Sequence, residues 1–84
     1  MHRIEWTKKA LKQLKVLDIK DQGTIYAAVG TLASWPDCRN VKALVDRENY
    51  RLRVGRYRVL FAVHDGIPRV IKVQEVKKRD ERTY

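Results

Sequence analysis

The spacing of apolar residues changes once along this chain, and the change divides it into a helical half and a sheet half. Between Thr7 and Leu17 the residues Ala10, Leu11, Leu14 and Leu17 recur at three- and four-residue intervals, while Lys8, Lys9, Lys12 and Lys15 fill the other positions. That pattern predicts an amphipathic helix with one buried stripe, and Thr7 is placed to cap it. Asp18 opens a second helix with Ile25, Ala28, Val29 and Leu32 as its buried stripe and Asp21 complementing its N-terminal dipole. Gly23 and Gly30 each weaken that helix by about 1 kcal/mol relative to alanine, so close packing is the expected reason for them. Trp35-Pro36-Asp37 ends the helix, because proline has no N–H to donate. The two helices, joined around Leu17 and Asp18, form a helical hairpin.

A short strand, His2 to Trp6, precedes the hairpin, and a polar connection from Cys38 to Asn49 follows it with Val41 and Leu44 turned inward. Beyond that connection the period is two. Tyr50, Leu52 and Val54 alternate with Arg51 and Arg53; Tyr57, Val59, Phe61 and Val63 alternate with Arg56, Arg58, Leu60 and Ala62. Asp65-Gly66 signals another hairpin, and Ile67 to Val76 reads as the last strand. The expected architecture is α+β in the order β-α-α-β-β-β, a single domain over residues 1–84 with the helical hairpin on one face of an antiparallel sheet.

The turn between the first two strands of this meander sets their register. Gly55-Arg56 suits a two-residue type II′ loop with glycine at the first central position. Val54 then faces Tyr57, Leu52 faces Val59, and Tyr50 faces Phe61, which defines the core side. On the other side Arg53 lies opposite Arg58, with Arg51 nearby facing Leu60. Like charges set opposite one another destabilise a sheet. An anion between them relieves the repulsion, and planar guanidinium groups match phosphate oxygens.

Charge points the same way. The chain has 19 Lys and Arg against 10 Asp and Glu, a net charge of +9 in 84 residues. The excess is concentrated after Asn49, and such a field favours a polyanionic partner. A chain of this length buries only about 60% of its unfolded surface, enough for one small core. The lone Cys38 excludes an internal disulfide and fits a reducing compartment. Met1-His2-Arg3-Ile4-Glu5-Trp6 is charged from the start and no apolar run approaches a membrane span, so a cytosolic protein without membrane contact is expected.

The run Tyr50-Arg51-Leu52-Arg53-Val54-Gly55-Arg56-Tyr57-Arg58-Val59-Leu60-Phe61, with Val76-Lys77-Lys78-Arg79 and a closing Tyr84, resembles the RelE/ParE toxins of bacterial type II toxin–antitoxin pairs. Trp6-Thr7-Lys8-Lys9-Ala10-Leu11-Lys12-Gln13-Leu14 resembles their first helix. Within that superfamily, RelE-like members cut messenger RNA on the ribosome and ParE-like members poison DNA gyrase. The resemblance implies an endoribonuclease, an mRNA interferase that inhibits translation, with a cognate antitoxin, mRNA and the 30S A site as partners. It implies catalytic roles for Arg53, Arg58, Arg79 and Tyr84, and RNA-binding roles for Arg51, Arg56, Lys77 and Lys78. The RNA's own 2′-hydroxyl attacks the adjacent phosphate in this chemistry, and no step calls for a metal or cofactor. Some relatives carry lysine where this chain has Arg51 and Arg53; arginine stays protonated at working pH and cannot take their place as a base. His2, His64, Glu48, Asp80 and Cys38 are expected to be structural or surface residues, and Trp6 and Trp35 core or antitoxin contacts. The alternatives are a ParE-like gyrase inhibitor on the same fold and a non-catalytic nucleic-acid-binding module.

Overall fold

Thr7 caps the first helix as its position suggests: its hydroxyl accepts a hydrogen bond from the Ala10 N–H at 3.1 Å. Helix α1 spans Lys8–Lys15 and buries Ala10 and Leu14. Asp18 occupies the N-cap position of helix α2, Ile19–Gly30, but its side chain makes no capping bond. Gln22 closes the interhelical turn instead, its amide donating to the carbonyls of Leu17 (2.7 Å) and Lys15 (3.2 Å). A 3-10 turn, Thr31–Ser34, continues α2 and buries Leu32.

The computed structural model describes residues 1–44 and 49–78. They form two layers, the helices lying on one face of a five-stranded sheet. Its strands are β1 Arg3–Trp6, β2 Val41–Ala43, β3 Asn49–Val54, β4 Tyr57–His64 and β5 Val70–Lys78, in the spatial order β1-β5-β4-β3-β2. The α+β class and the helical hairpin are as expected. The sheet is mixed, because β1 pairs with β5 in parallel while the other neighbours are antiparallel. It also gains β2, which lies within the segment expected to be a polar connection; three residues are too few to show a period of two. The last strand starts three residues later and ends two residues later than its alternation suggests.

The core is one cluster. Ala10, Leu14, Ile25, Val29 and Leu32 from the helical layer meet Leu52, Val54, Val59, Phe61, Ile71, Val73 and Val76 from the sheet. Trp35 packs edge-on against Tyr50 and Phe61, with ring centroids 4.6 and 5.6 Å away, and Trp6 stacks on Tyr26 at 5.9 Å. Both tryptophans are therefore packing residues.

A bulge interrupts the register of β5. Leu60 faces Glu75 and Phe61 faces Val73, so Gln74 is the extra residue. Ile71, Val73 and Val76 consequently all reach the core although strict alternation would turn Val76 outward. Helix α1 and its cap satisfy the displaced backbone. The Thr7 hydroxyl donates to the Gln74 carbonyl at 3.2 Å, the Thr7 N–H to the Val73 carbonyl at 3.0 Å, and the Val76 N–H to Gln13 Oε1 at 2.7 Å.

Two substitutions test this description. Gln13→Ala leaves the partly buried Val76 N–H without its acceptor and is expected to cost about 1–2 kcal/mol in denaturant unfolding. Gly23 has nothing within 4 Å of where a Cβ would stand, and the same is true of Gly30, so close packing is not the reason for either glycine. Gly23→Ala, inside an exposed turn of α2, is expected to stabilise the protein by about 0.5–1 kcal/mol in the same measurement.

Candidate nucleic-acid interface

The tight turn at Gly55 builds the centre of the site. Gly55 has φ +56° whereas Arg56 is not in the positive-φ region, the pattern of a type II′ turn with glycine first. The register follows: Val54 pairs with Tyr57, Arg53 with Arg58, Leu52 with Val59, Arg51 with Leu60, and Tyr50 with Phe61. Every one of these pairings is as the alternation predicts.

The side chains opposite the core lie on a sheet face that the helices leave uncovered. Arg53 and Arg58 occupy one rung of it, and β5 adds Lys77, the partner of Arg58, to the same rung. This depends on the bulge. Counted by twos from Ile71, position 77 would fall on the helix side; the extra residue Gln74 turns Glu75 and Lys77 to the open face. Arg51 lies on the next rung, between Lys42 of β2 and Leu60 of β4. Lys42 escaped the sequence reading, because only the pairing of β2 with β3 brings it beside the arginines. The centre of the face is less polar: Leu60 is half-buried and Ala62 buried.

The other expected site residues are dispersed. Arg56 lines a cleft of about 150 Å³ on the helix side of the turn, with Asp21, Thr24, Ile25, Val54, Gly55 and Tyr57. There the Tyr57 hydroxyl donates to Asp21 Oδ2 at 2.8 Å, a bond that pushes the phenol above its ordinary pKa and ties α2 to the β3–β4 turn. Lys78 pairs with Tyr57 and so follows the helix-side register. Arg79 and Tyr84 lie outside the described residues, as do Glu48 and Asp80.

The histidines sit away from the arginine rungs. His64 ends β4 six residues from Arg58, about 20 Å along an extended strand. His2 is buried and its Nε2 lies 2.9 Å from Asp65 Oδ1, which ties the N-terminus to the β4–β5 turn. The Cys38 thiol contacts the Thr31 carbonyl at 3.7 Å, and partial burial followed by the Asp37 charge pushes its pKa up, away from a reactive thiolate.

Glu75 is the one acidic residue beside these cations on the open face among the described residues. Lys9 reaches it from α1 at 3.0 Å, and Lys77 stands 3.7 Å away. The hydrogen bond from Lys9, with the Lys77 charge behind it, holds the carboxyl below its ordinary pKa against the opposing effect of burial. A carboxylate stabilised in this way contributes to folding fully above its unfolded pKa, and the contribution is lost as pH falls through the lower folded value. Glu75→Gln is therefore expected to flatten the acid limb of stability against pH below about pH 4.5, measured by thermal melting across that range.

No protein-family profile matches the chain, and no curated protein sequence does. Solved structures do match. The RelE–RelB complex of Pyrococcus horikoshii has a chain 27% identical to this one, with a TM-score of 0.81 over 95% of this chain and 97% of that one. The isolated RelE toxin of E. coli is 17% identical, with a TM-score of 0.81 over 99% and 89%. A YoeB/ParE toxin from Agrobacterium tumefaciens is 14% identical, with a TM-score of 0.76 over 93% and 99%. The chain has the RelE-like toxin fold.

Proposed function

We propose that this chain is the toxin of a type II toxin–antitoxin pair, a cytoplasmic endoribonuclease that stops translation by cutting messenger RNA in the ribosomal A site. The observation that carries the proposal is the rung Arg53–Arg58–Lys77 on the open face of a RelE-like sheet. The rung gathers three cations on neighbouring strands, with Glu75 beside Lys77, and a phosphodiester is a ligand that such a rung accommodates.

In the proposed reaction the RNA 2′-oxygen attacks phosphorus as the bond to the 5′-oxygen breaks. The products are a 2′,3′-cyclic phosphate and a 5′-hydroxyl; one proton leaves the attacking oxygen and one reaches the departing oxygen. Arg53 and Arg58 neutralise the charge that grows on the phosphate, an interaction preorganised by the strands that carry them. Arg51 and Lys77 hold the backbone in line for attack. Arg79 assists the leaving oxygen, and Tyr84 stacks on a base and handles a proton. Arg56 and Lys78, on the helix-side register, add to the field that draws the RNA in. A cognate antitoxin with an acidic segment would cover the same face; the P. horikoshii RelE neighbour is itself part of a RelE–RelB complex.

A gyrase inhibitor on this fold is the second reading, favoured by the YoeB/ParE toxin among the neighbours. One pair of assays separates the two. The purified chain is expected to cut ribosome-bound message and to leave gyrase supercoiling unchanged. Arg58→Ala should lower cutting by about 10²–10³-fold with the fold intact by circular dichroism, and Tyr84→Ala should lower it more than Tyr84→Phe. Inhibition of supercoiling without message cleavage would overturn the proposal.

A further inference from the structure

The open face carries a second rung, Lys42–Arg51–Leu60–Glu75, whose lysine the proposed reaction does not use. Lys42 lies directly across from Arg51, and Arg51 is two residues from Arg53 on the same strand and the same side. Neighbouring strands are about 5 Å apart and same-face residues about 7 Å apart along a strand, so the two rungs are separated by roughly one step of an extended nucleotide chain. Lys42 is exposed on the edge strand and Arg51 is half-buried. The pair opposes two like charges where nothing in the core requires a lysine.

We propose that Lys42 and Arg51 form a separate subsite for the phosphate next to the one being cleaved, making Lys42 a positioning residue that fixes which linkage enters the Arg53–Arg58–Lys77 rung. The inference rests on the ribonuclease reading above. The RNA strand then crosses the sheet from rung to rung over Leu60, whose apolar side chain on the second rung offers a surface for a base. The recognised ligand is a single strand with two consecutive phosphodiesters, and one linkage alone fills only half of the site. The competing explanation for Lys42 is protection of an edge strand, since lysine there discourages sheet-to-sheet association.

The test uses ribosomes programmed with a message in which one linkage at a time flanking the cut is a neutral methylphosphonate. Lys42→Ala is expected to raise KM on the native message by on the order of fivefold, the worth of about one phosphate contact, with kcat unchanged; Lys42→Arg restores it. Neutralising one of the two flanking linkages should produce the same loss in the wild type and none further in Lys42→Ala. The proposal is overturned if Lys42→Ala cuts native message like the wild type, or if its defect persists undiminished whichever flanking linkage is neutral. Self-association of Lys42→Ala in sedimentation with cutting intact would likewise overturn it, in favour of edge protection. If the wild type cuts no ribosome-bound message, the ribonuclease reading falls and this inference with it; a wild type that cuts beside an indifferent Lys42→Ala sinks the inference alone.

Discussion

The pairing of β3 with β4 is the constraint on which the rest of the molecule depends. Leu52 and Val59, Val54 and Tyr57, and Tyr50 and Phe61 face one another across two strands, and Val59 and Phe61 are fully buried. Burying a side chain of this size contributes about 1.5–3 kcal/mol. A like-charge pair on the opposite face costs only about 0.2–1 kcal/mol by comparison. Hydrophobic burial therefore wins, and it holds Arg53 and Arg58 together whether or not an anion is present. A slip of one residue would turn the arginines into the core and every apolar partner into water.

The helical layer contributes more than cover for that core. Helix α1 is capped by Thr7 and supplies Gln13, and these two residues take up the backbone groups that the bulge in β5 displaces. Lys9 on the same helix holds Glu75 beside Lys77. The bulge is thus hydrogen-bonded to the helix and its cap, and its consequence appears on the far side of the sheet, where Lys77 joins the arginine rung. Tyr57 and Asp21 form a corresponding tie at the other end, between α2 and the turn that sets the register. Two of the central strands of the open face, β5 and β4, are thereby hydrogen-bonded from behind by the helical layer.

Such a face suits a reaction in which alignment and fixed charge are large contributions. Guanidinium groups carried on paired strands need little reorganisation as charge grows on a phosphate. The arginines cannot also serve as the base, so the proton chemistry of the proposed reaction falls to groups other than the arginines. The separation has a physical logic: a dense positive field that binds the phosphate also favours an ionised phenol brought close to it.

Periodicity and turn residues specify the local elements and the central register. Alternation from Tyr50 to Phe61, punctuated by Gly55, admits one pairing that buries the apolar residues, and helical periodicity with Thr7 as a cap admits one first helix. The alternation therefore places Arg51, Arg53 and Arg58 on one face, where the register puts them. The breadth of that face follows from long-range pairing. Lys42 joins it because a three-residue strand, too short to show a period, finds an edge to pair with. Lys77 joins it because one extra residue in β5, held by side chains more than sixty positions earlier in the chain, reverses the alternation. Periodicity reports what a segment does alone; a bulge and an edge pairing are set by partners far away in sequence, and only the folded chain brings those partners together.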